Sequence, residues 1–147
     1  RSHPGTGIDG AGIDISDGTY RQIRTPGTPA WGVSATAALY RRSALASNIF
    51  DPRFFAYYED VELCARLHAG GWTTRVLPAI KATHRGSQSA GVLGKRAKYL
   101  RTRNRYFVAR LHPGVGRIGA LLWEDARLLA RGRSSLRGII EGLCSTL

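Results

Sequence analysis

Methionine is missing altogether from this sequence of 147 residues, which opens on Arg1. With the Gly-rich opening (Pro4, Gly5, Gly7, Gly10, Gly12), this leads us to expect a piece of a longer chain, a processed mature chain being the alternative. Cysteine is scarce. Cys64 and Cys144 lie far apart with no Cys-x-x-Cys spacing, which argues against a disulfide scaffold or a structural zinc site and fits a reducing compartment. No apolar run reaches the roughly 18–20 residues that span a bilayer, and the opening residues lack the charged-then-apolar pattern of a secretion signal.

Acid is also scarce: 10 Asp and Glu stand against 22 Lys and Arg, for a net charge of +12. The imbalance is local. Residues 1–94 carry ten basic and seven acidic groups, whereas residues 95–147 carry twelve and three. The positive field therefore belongs to the C-terminal third, and it favours polyanions: nucleic acid, anionic lipid or phosphate-bearing substrates. The 43% hydrophobic share is ordinary for a chain with a packed core. Gly5-Thr6-Gly7-Ile8-Asp9-Gly10 spells Gly-x-Gly-x-x-Gly, but without a strand before it or a helix after it those letters do not make a dinucleotide site.

Along the chain, residues 1–30 read as loop with one short strand or hairpin around Ile13 to Ile15. Val33, Ala35, Ala37 and Leu39 alternate as a strand would, and a short helix is expected at residues 41–45. After the aromatic run Phe54, Phe55, Tyr57, Tyr58, a helix is predicted from Glu59 to Ala69, stopped by Gly70-Gly71. Its inward face would hold Val61, Leu63, Cys64 and Leu67, with Cys64 as a small buried hydrophobe. Trp72 to Leu77 and Ala79 to Thr83 read as strands. Beyond Gly94 three helices are expected, over 95–112, 115–131 and 136–144, the last capped by Ser134 or Ser135.

Glu59 and Asp60 thus fall at the start of a helix, directly after an aromatic platform. Free N–H groups and the helix dipole there stabilise a carboxylate, and a positioned carboxylate can act as a general base. Acids are also common in any first helical turn, so spacing alone leaves both readings open.

The run Phe50-Asp51-Pro52-Arg53-Phe54-Phe55-Ala56-Tyr57-Tyr58-Glu59-Asp60-Val61-Glu62-Leu63, closed by Gly71-Trp72, resembles a segment of family 2 glycosyltransferases. The segment Val33 to Leu45 with its Tyr40-Arg41-Arg42, the Pro78-Ala79…His84…Ser87 to Ser89 stretch and the Arg103-Asn104-Arg105 triplet resemble flanking parts of the same family, so the similarity covers about residues 8 to 112. The resemblance implies an α/β fold: the C-terminal, acceptor-side part of a GT-A (Rossmann-like) glycosyltransferase, rhamnosyltransferase-like, followed by a basic helical tail. Residues 1–94 would form the part bearing the catalytic base, and residues 95–147 a basic helical extension.

By the same resemblance the parent is a bacterial, inverting, metal-dependent hexosyltransferase of cell-wall or polysaccharide biosynthesis, with rhamnose suggested as its sugar. It would use a nucleotide-sugar donor and a glycan or lipid-linked acceptor. Asp60 would be the base and Glu59 its support or the acceptor's guide. Trp31, Tyr57, Tyr58 and Arg103 would contact substrate, the aromatics having core packing as their alternative. His84 would ligate a divalent metal, Mn²⁺ or Mg²⁺, at the diphosphate, its alternative being an ordinary loop histidine.

One departure matters. The family's Asp-x-Asp would lie before Gly7, and the chain contains no Asp-x-Asp. The nucleotide-binding half is therefore expected upstream, and the 147 residues alone are expected to be inactive. The tail, with Leu, Ile and Trp opposite its Lys and Arg, suits an anionic membrane surface, so a cytoplasmic protein, peripheral at the inner face of the plasma membrane, is expected. The competing readings are a non-catalytic basic module for membrane or nucleic acid, or a degenerate remnant. Nucleic acid fits the charge but leaves the Glu-Asp segment unexplained and is not expected as a partner.

Overall fold

A computed structural model describes residues 12–23, 30–45, 49–77 and 88–145. Three short strands, β1 (Gly12–Asp14), β2 (Arg21–Ile23) and β3 (Gly32–Val33), form an antiparallel sheet in the order β2-β1-β3. Ile13 lies opposite Gln22 on one side and Gly32 on the other. The β1–β2 turn is made by two aspartates that bond backbone N–H groups two residues on, Asp14 to Ser16 and Asp17 to Thr19, each at 2.9 Å. This is the hairpin expected near Ile13.

Among the described residues five α-helices follow: α1 (Glu59–Ala69), α2 (Gln88–Leu93), α3 (Lys95–Leu111), α4 (Ile118–Ala130) and α5 (Leu136–Cys144). The expected helix after the aromatic run and the three C-terminal helices are present, and Ser135 caps α5 by accepting from the Gly138 N–H. The strand expected from Val33 to Leu39 is not. Only Gly32–Val33 pairs, and the chain then turns into a 3₁₀ helix at Ala35–Ala37, because the Ser34 hydroxyl accepts from the Thr36 N–H. The expected short helix at 41–45 is a 3₁₀ turn, Arg42–Ala44. Residues 72–77, expected as a strand, have no regular structure and no pairing partner among the described residues. The strand expected from Ala79 to Thr83 lies outside the described residues.

From Trp31 to Ala35 the chain runs antiparallel to α1. Trp31 meets His68, Val33 meets Cys64, and Ala35 meets Asp60. Gly32 permits this approach, since a Cβ there would come within 3.1 Å of the Cys64 side chain. Cys64 is buried, as expected of a small hydrophobe. The main core joins Ile13, Phe54, Val61, Phe107 and Val108, so it runs across position 94 and ties α3 to the sheet and to α1.

Helix α5 crosses α3 closely along Gly138 and Gly142. A Cβ at either would come within 2.9 Å of α3 atoms. Helix α4 is turned inside out. Its buried side presents Asp125, bonded by Arg105, by Ser134 and, at 2.6 Å, by the Tyr106 hydroxyl. Leu121 is the other buried residue on that side. Ile118, Leu122, Trp123 and Leu129 are exposed. Taken together, the described residues are a mixed arrangement of helices with a small sheet, compatible with part of an α/β fold.

Candidate active site

The approach to α1 is made of residues that resist the conformation they hold. Phe55, Tyr57 and Tyr58 have φ of 62°, 70° and 68°, the left-handed region that costs a side-chain-bearing residue roughly 1 kcal/mol or more. What holds them is α3. The Asn104 side-chain amide, fully buried, donates to the carbonyls of Phe54, Ala56 and Tyr57 at 2.9, 2.9 and 2.7 Å. Arg103 donates to the Arg53 carbonyl at 2.8 Å. Asp51 locks the loop's outer edge through Arg53. Carbonyls left bare by the strained turn are thereby satisfied from a helix remote in sequence.

This loop delivers the two carboxylates at the N-terminus of α1. Asp60 accepts from the Ala35 N–H (3.2 Å) and from the Val61 N–H (2.9 Å), so it bridges the starts of the 3₁₀ helix and α1. Each oxygen takes one bond and keeps capacity for another donor, such as a substrate hydroxyl. Glu59 differs: its Oε2 is buried with no hydrogen-bond partner among the described residues. Burial pushes its carboxyl above the usual range, and the neighbouring Asp60 charge adds to that. Two phenol oxygens, Tyr40 Oη and Tyr57 Oη, are likewise buried and unpartnered among the described residues. Burial, with Cys64, Asp60 and Glu59 nearby, drives Tyr40 up to about 12. Buried polar atoms without partners are uncommon, and the Tyr40 hydroxyl lies near both acids.

On the far side of α1, Glu62 is buried and paired with Arg66 (2.8 Å) and His112 (3.2 Å). Burial alone would raise its carboxyl; the bonds from His112 and Arg66 outweigh that and hold it below the usual range. Glu62 is thus fully engaged in joining α1 to the end of α3.

The structure brings Glu59, Asp60, Tyr57 and Tyr58 together. Tyr58 packs edge-on against Tyr20 at 5.4 Å, on the main core. The Tyr57 ring carries the Arg101 guanidinium at 4.7 Å. Trp31 stacks on His68 at 5.1 Å, eight residues beyond Asp60, which is about 12 Å along the helix axis, so it is not beside the acids. Arg103 reaches loop carbonyls and lies against the Tyr99 and Phe107 rings. His84 lies outside the described residues. Among the described residues no three His, Cys, Asp or Glu side chains converge as a metal ion would need. Sequence reasoning missed Asn104 and Tyr40. For Asn104 a signal existed: it shares a helical stripe with Leu100, Phe107 and Leu111, and an amide on an apolar stripe must find partners inside.

Part of the chain is similar to a glycosyltransferase. Over 75 residues, 49% of the chain, it is 37% identical to the N-acetylglucosaminyl-diphospho-decaprenol L-rhamnosyltransferase of Mycobacterium tuberculosis strain CDC 1551 / Oshkosh, and equally to that of strain ATCC 25618 / H37Rv. The match covers 24% of those relatives, so the chain spans about a quarter of their length. The chain matches no protein-family model, and no solved structure matches it.

Proposed function

We propose that this chain is the acceptor-side part, in a GT-A framework, of an inverting family 2 glycosyltransferase that moves a sugar, in the first instance rhamnose, from a nucleotide-sugar to a lipid-diphosphate-linked glycan. The observation that carries the reading is the Glu59–Asp60 pair directly after a strained aromatic loop: one carboxylate oriented by two backbone N–H groups, the other half-buried with one oxygen unpartnered among the described residues. The partial likeness to a rhamnosyltransferase whose name specifies a diphospho-decaprenol acceptor supports the choice of substrates.

In this mechanism Asp60 takes the proton from the acceptor hydroxyl as its oxygen attacks the anomeric carbon. The new C–O bond forms opposite the bond to the nucleotide diphosphate, whose electron pair departs with the leaving group, so configuration inverts. Glu59, with Tyr40 and Tyr57, hydrogen-bonds the acceptor and sets its approach. A divalent cation, Mn²⁺ or Mg²⁺, belongs to the proposal through His84, but the described residues do not form a site for it and no step here passes through one.

The apolar outer face of α4, ringed by Arg117, Arg127 and Arg131, supports peripheral attachment to the cytoplasmic face of an anionic membrane. Among the described residues no helix is long and apolar enough to cross one.

The test is Asp60→Asn in the intact gene product, assayed by nucleotide release with a lipid-linked acceptor. Turnover is expected to fall by about a thousandfold with donor KM nearly unchanged. Turnover within about threefold of wild type would sink the reading. In the same assay, chelation with EDTA is expected to abolish transfer and Mn²⁺ or Mg²⁺ to restore it.

A further inference from the structure

A concavity lies beside the loop. Lys95, Arg96 and Arg103 of α3 and Arg137 of α5 line a groove of about 500 Å³ whose aromatic walls are Phe55 and Tyr99. The volume is that of a small-ligand site. Four cations face it, and among the described residues no acidic side chain lines it. Lys95 and Arg96 make no hydrogen bond or ion pair among the described residues; Arg96 rests on the Phe55 ring at 4.7 Å. Arg137 is exposed and pairs with Glu141 at 2.6 Å.

Phe55 supplies the independent observation. It is 63% exposed, at a φ of 62°, in the loop that Arg103 and Asn104 hold. A phenyl ring kept in water on a strained backbone is costly twice over, and such strain persists where surroundings impose it for a purpose. The same Arg103 that holds the loop lines the groove, so ring and cations are positioned as one unit. On α5, Leu136 and Ile140 are exposed on either side of Arg137 in sequence, at 61% and 54%. Cations clustered in a compact groove, rather than spread along a track, suit a diphosphate rather than a nucleic-acid backbone. The exposed Phe55 ring in its wall suits a hydrocarbon attached to that anion.

We propose that this groove binds the diphosphate of a prenyl-type lipid, with Lys95, Arg96, Arg103 and Arg137 on the phosphates and Phe55 against the first carbons of the chain. The proposal rests on the glycosyltransferase reading for the ligand's role as acceptor; the binding itself does not involve Asp60.

The test uses the intact gene product and calorimetric titration with farnesyl diphosphate and with inorganic pyrophosphate, alongside co-sedimentation with phosphatidylglycerol vesicles. Lys95, Arg96 and Arg137 are exposed, so the triple variant Lys95→Gln/Arg96→Gln/Arg137→Gln should fold, which its thermal melt verifies. Wild type is expected to bind farnesyl diphosphate about tenfold more tightly than pyrophosphate, and the variant to lose about tenfold or more for both, with vesicle binding changed by less than about threefold. Unchanged farnesyl diphosphate binding in the variant overturns the proposal. So does equal affinity for pyrophosphate and farnesyl diphosphate, which marks a free-anion site, or an equal loss of vesicle binding, which marks diffuse surface charge. If Asp60→Asn leaves transfer intact while the groove behaves as expected, the catalytic reading falls and the groove stands.

Discussion

Glu59 and Asp60 are neighbours with opposite circumstances. Asp60 accepts from the backbone N–H groups of Ala35 and Val61, while half-buried Glu59 keeps one oxygen, Oε2, buried with no hydrogen-bond partner among the described residues. Because burial raises the folded-state pKa of Glu59 above its unfolded value, its ionisation opposes folding. The stability it contributes is full below the unfolded pKa and is lost as pH rises through the folded one. Glu59→Gln should therefore melt higher than wild type at pH 7–8, by about 2 °C or more, with the gap closing as pH falls toward about 4. On the proposed function, in which Glu59 guides the acceptor, the same variant should also lose transfer activity. Melting curves across pH check the first point, and an unchanged gap at low pH would refute it. The presence of the two acids at a helix start was legible, because a dense aromatic run followed by an apolar 3–4 rhythm marks a boundary. Their unequal satisfaction was not, because the donor on Asp60 comes from Ala35, 25 residues upstream.

At the level of elements, α1, α3, α4 and α5 were legible because each has its own apolar periodicity and a Gly, Pro or Ser at a boundary, although only α5 has a side-chain N-cap. What they do to one another was not. The alternation of Val33, Ala35, Ala37 and Leu39 reads as a strand, yet Ser34 caps a 3₁₀ turn and leaves Leu39 93% exposed. The clamp from α3 onto the loop joins residues 50 apart, and no local pattern announces it. Asn104→Asp keeps the shape but sets acceptors against three carbonyls. It should cost about 2–4 kcal/mol in urea denaturation and lower kcat more than it raises KM, as expected when the base-bearing turn relaxes. A loss of stability with kcat/KM untouched would show that the clamp serves folding alone.

For the molecule as a whole, the orientation of α4 has the widest consequence. Its apolar content was evident in the sequence, where Leu, Ile and Trp opposite Lys and Arg suggest a membrane surface, although a helix in a packed domain ordinarily turns its apolar face inward. Arg105 reverses this by drawing Asp125 into the interior, with Tyr106 and Ser134 as further donors, so Leu122, Trp123 and Leu129 turn outward. If that face meets lipid, Trp123→Ser should weaken binding to phosphatidylglycerol vesicles by roughly five- to tenfold, an effect of burying one large ring. Added salt should weaken wild type further. Equal vesicle binding by the variant would leave α4 without that role.

The three left-handed residues before α1 carry a message about which sequences could replace this one. Glycine at 55 or 57 would adopt the same turn without steric penalty, whereas at 58 it would also remove a ring packed on the main core. The exposed Phe55 ring therefore sits where glycine would be easier on the backbone, and swapping each of the three to glycine in turn would separate what the backbone needs from what the rings do.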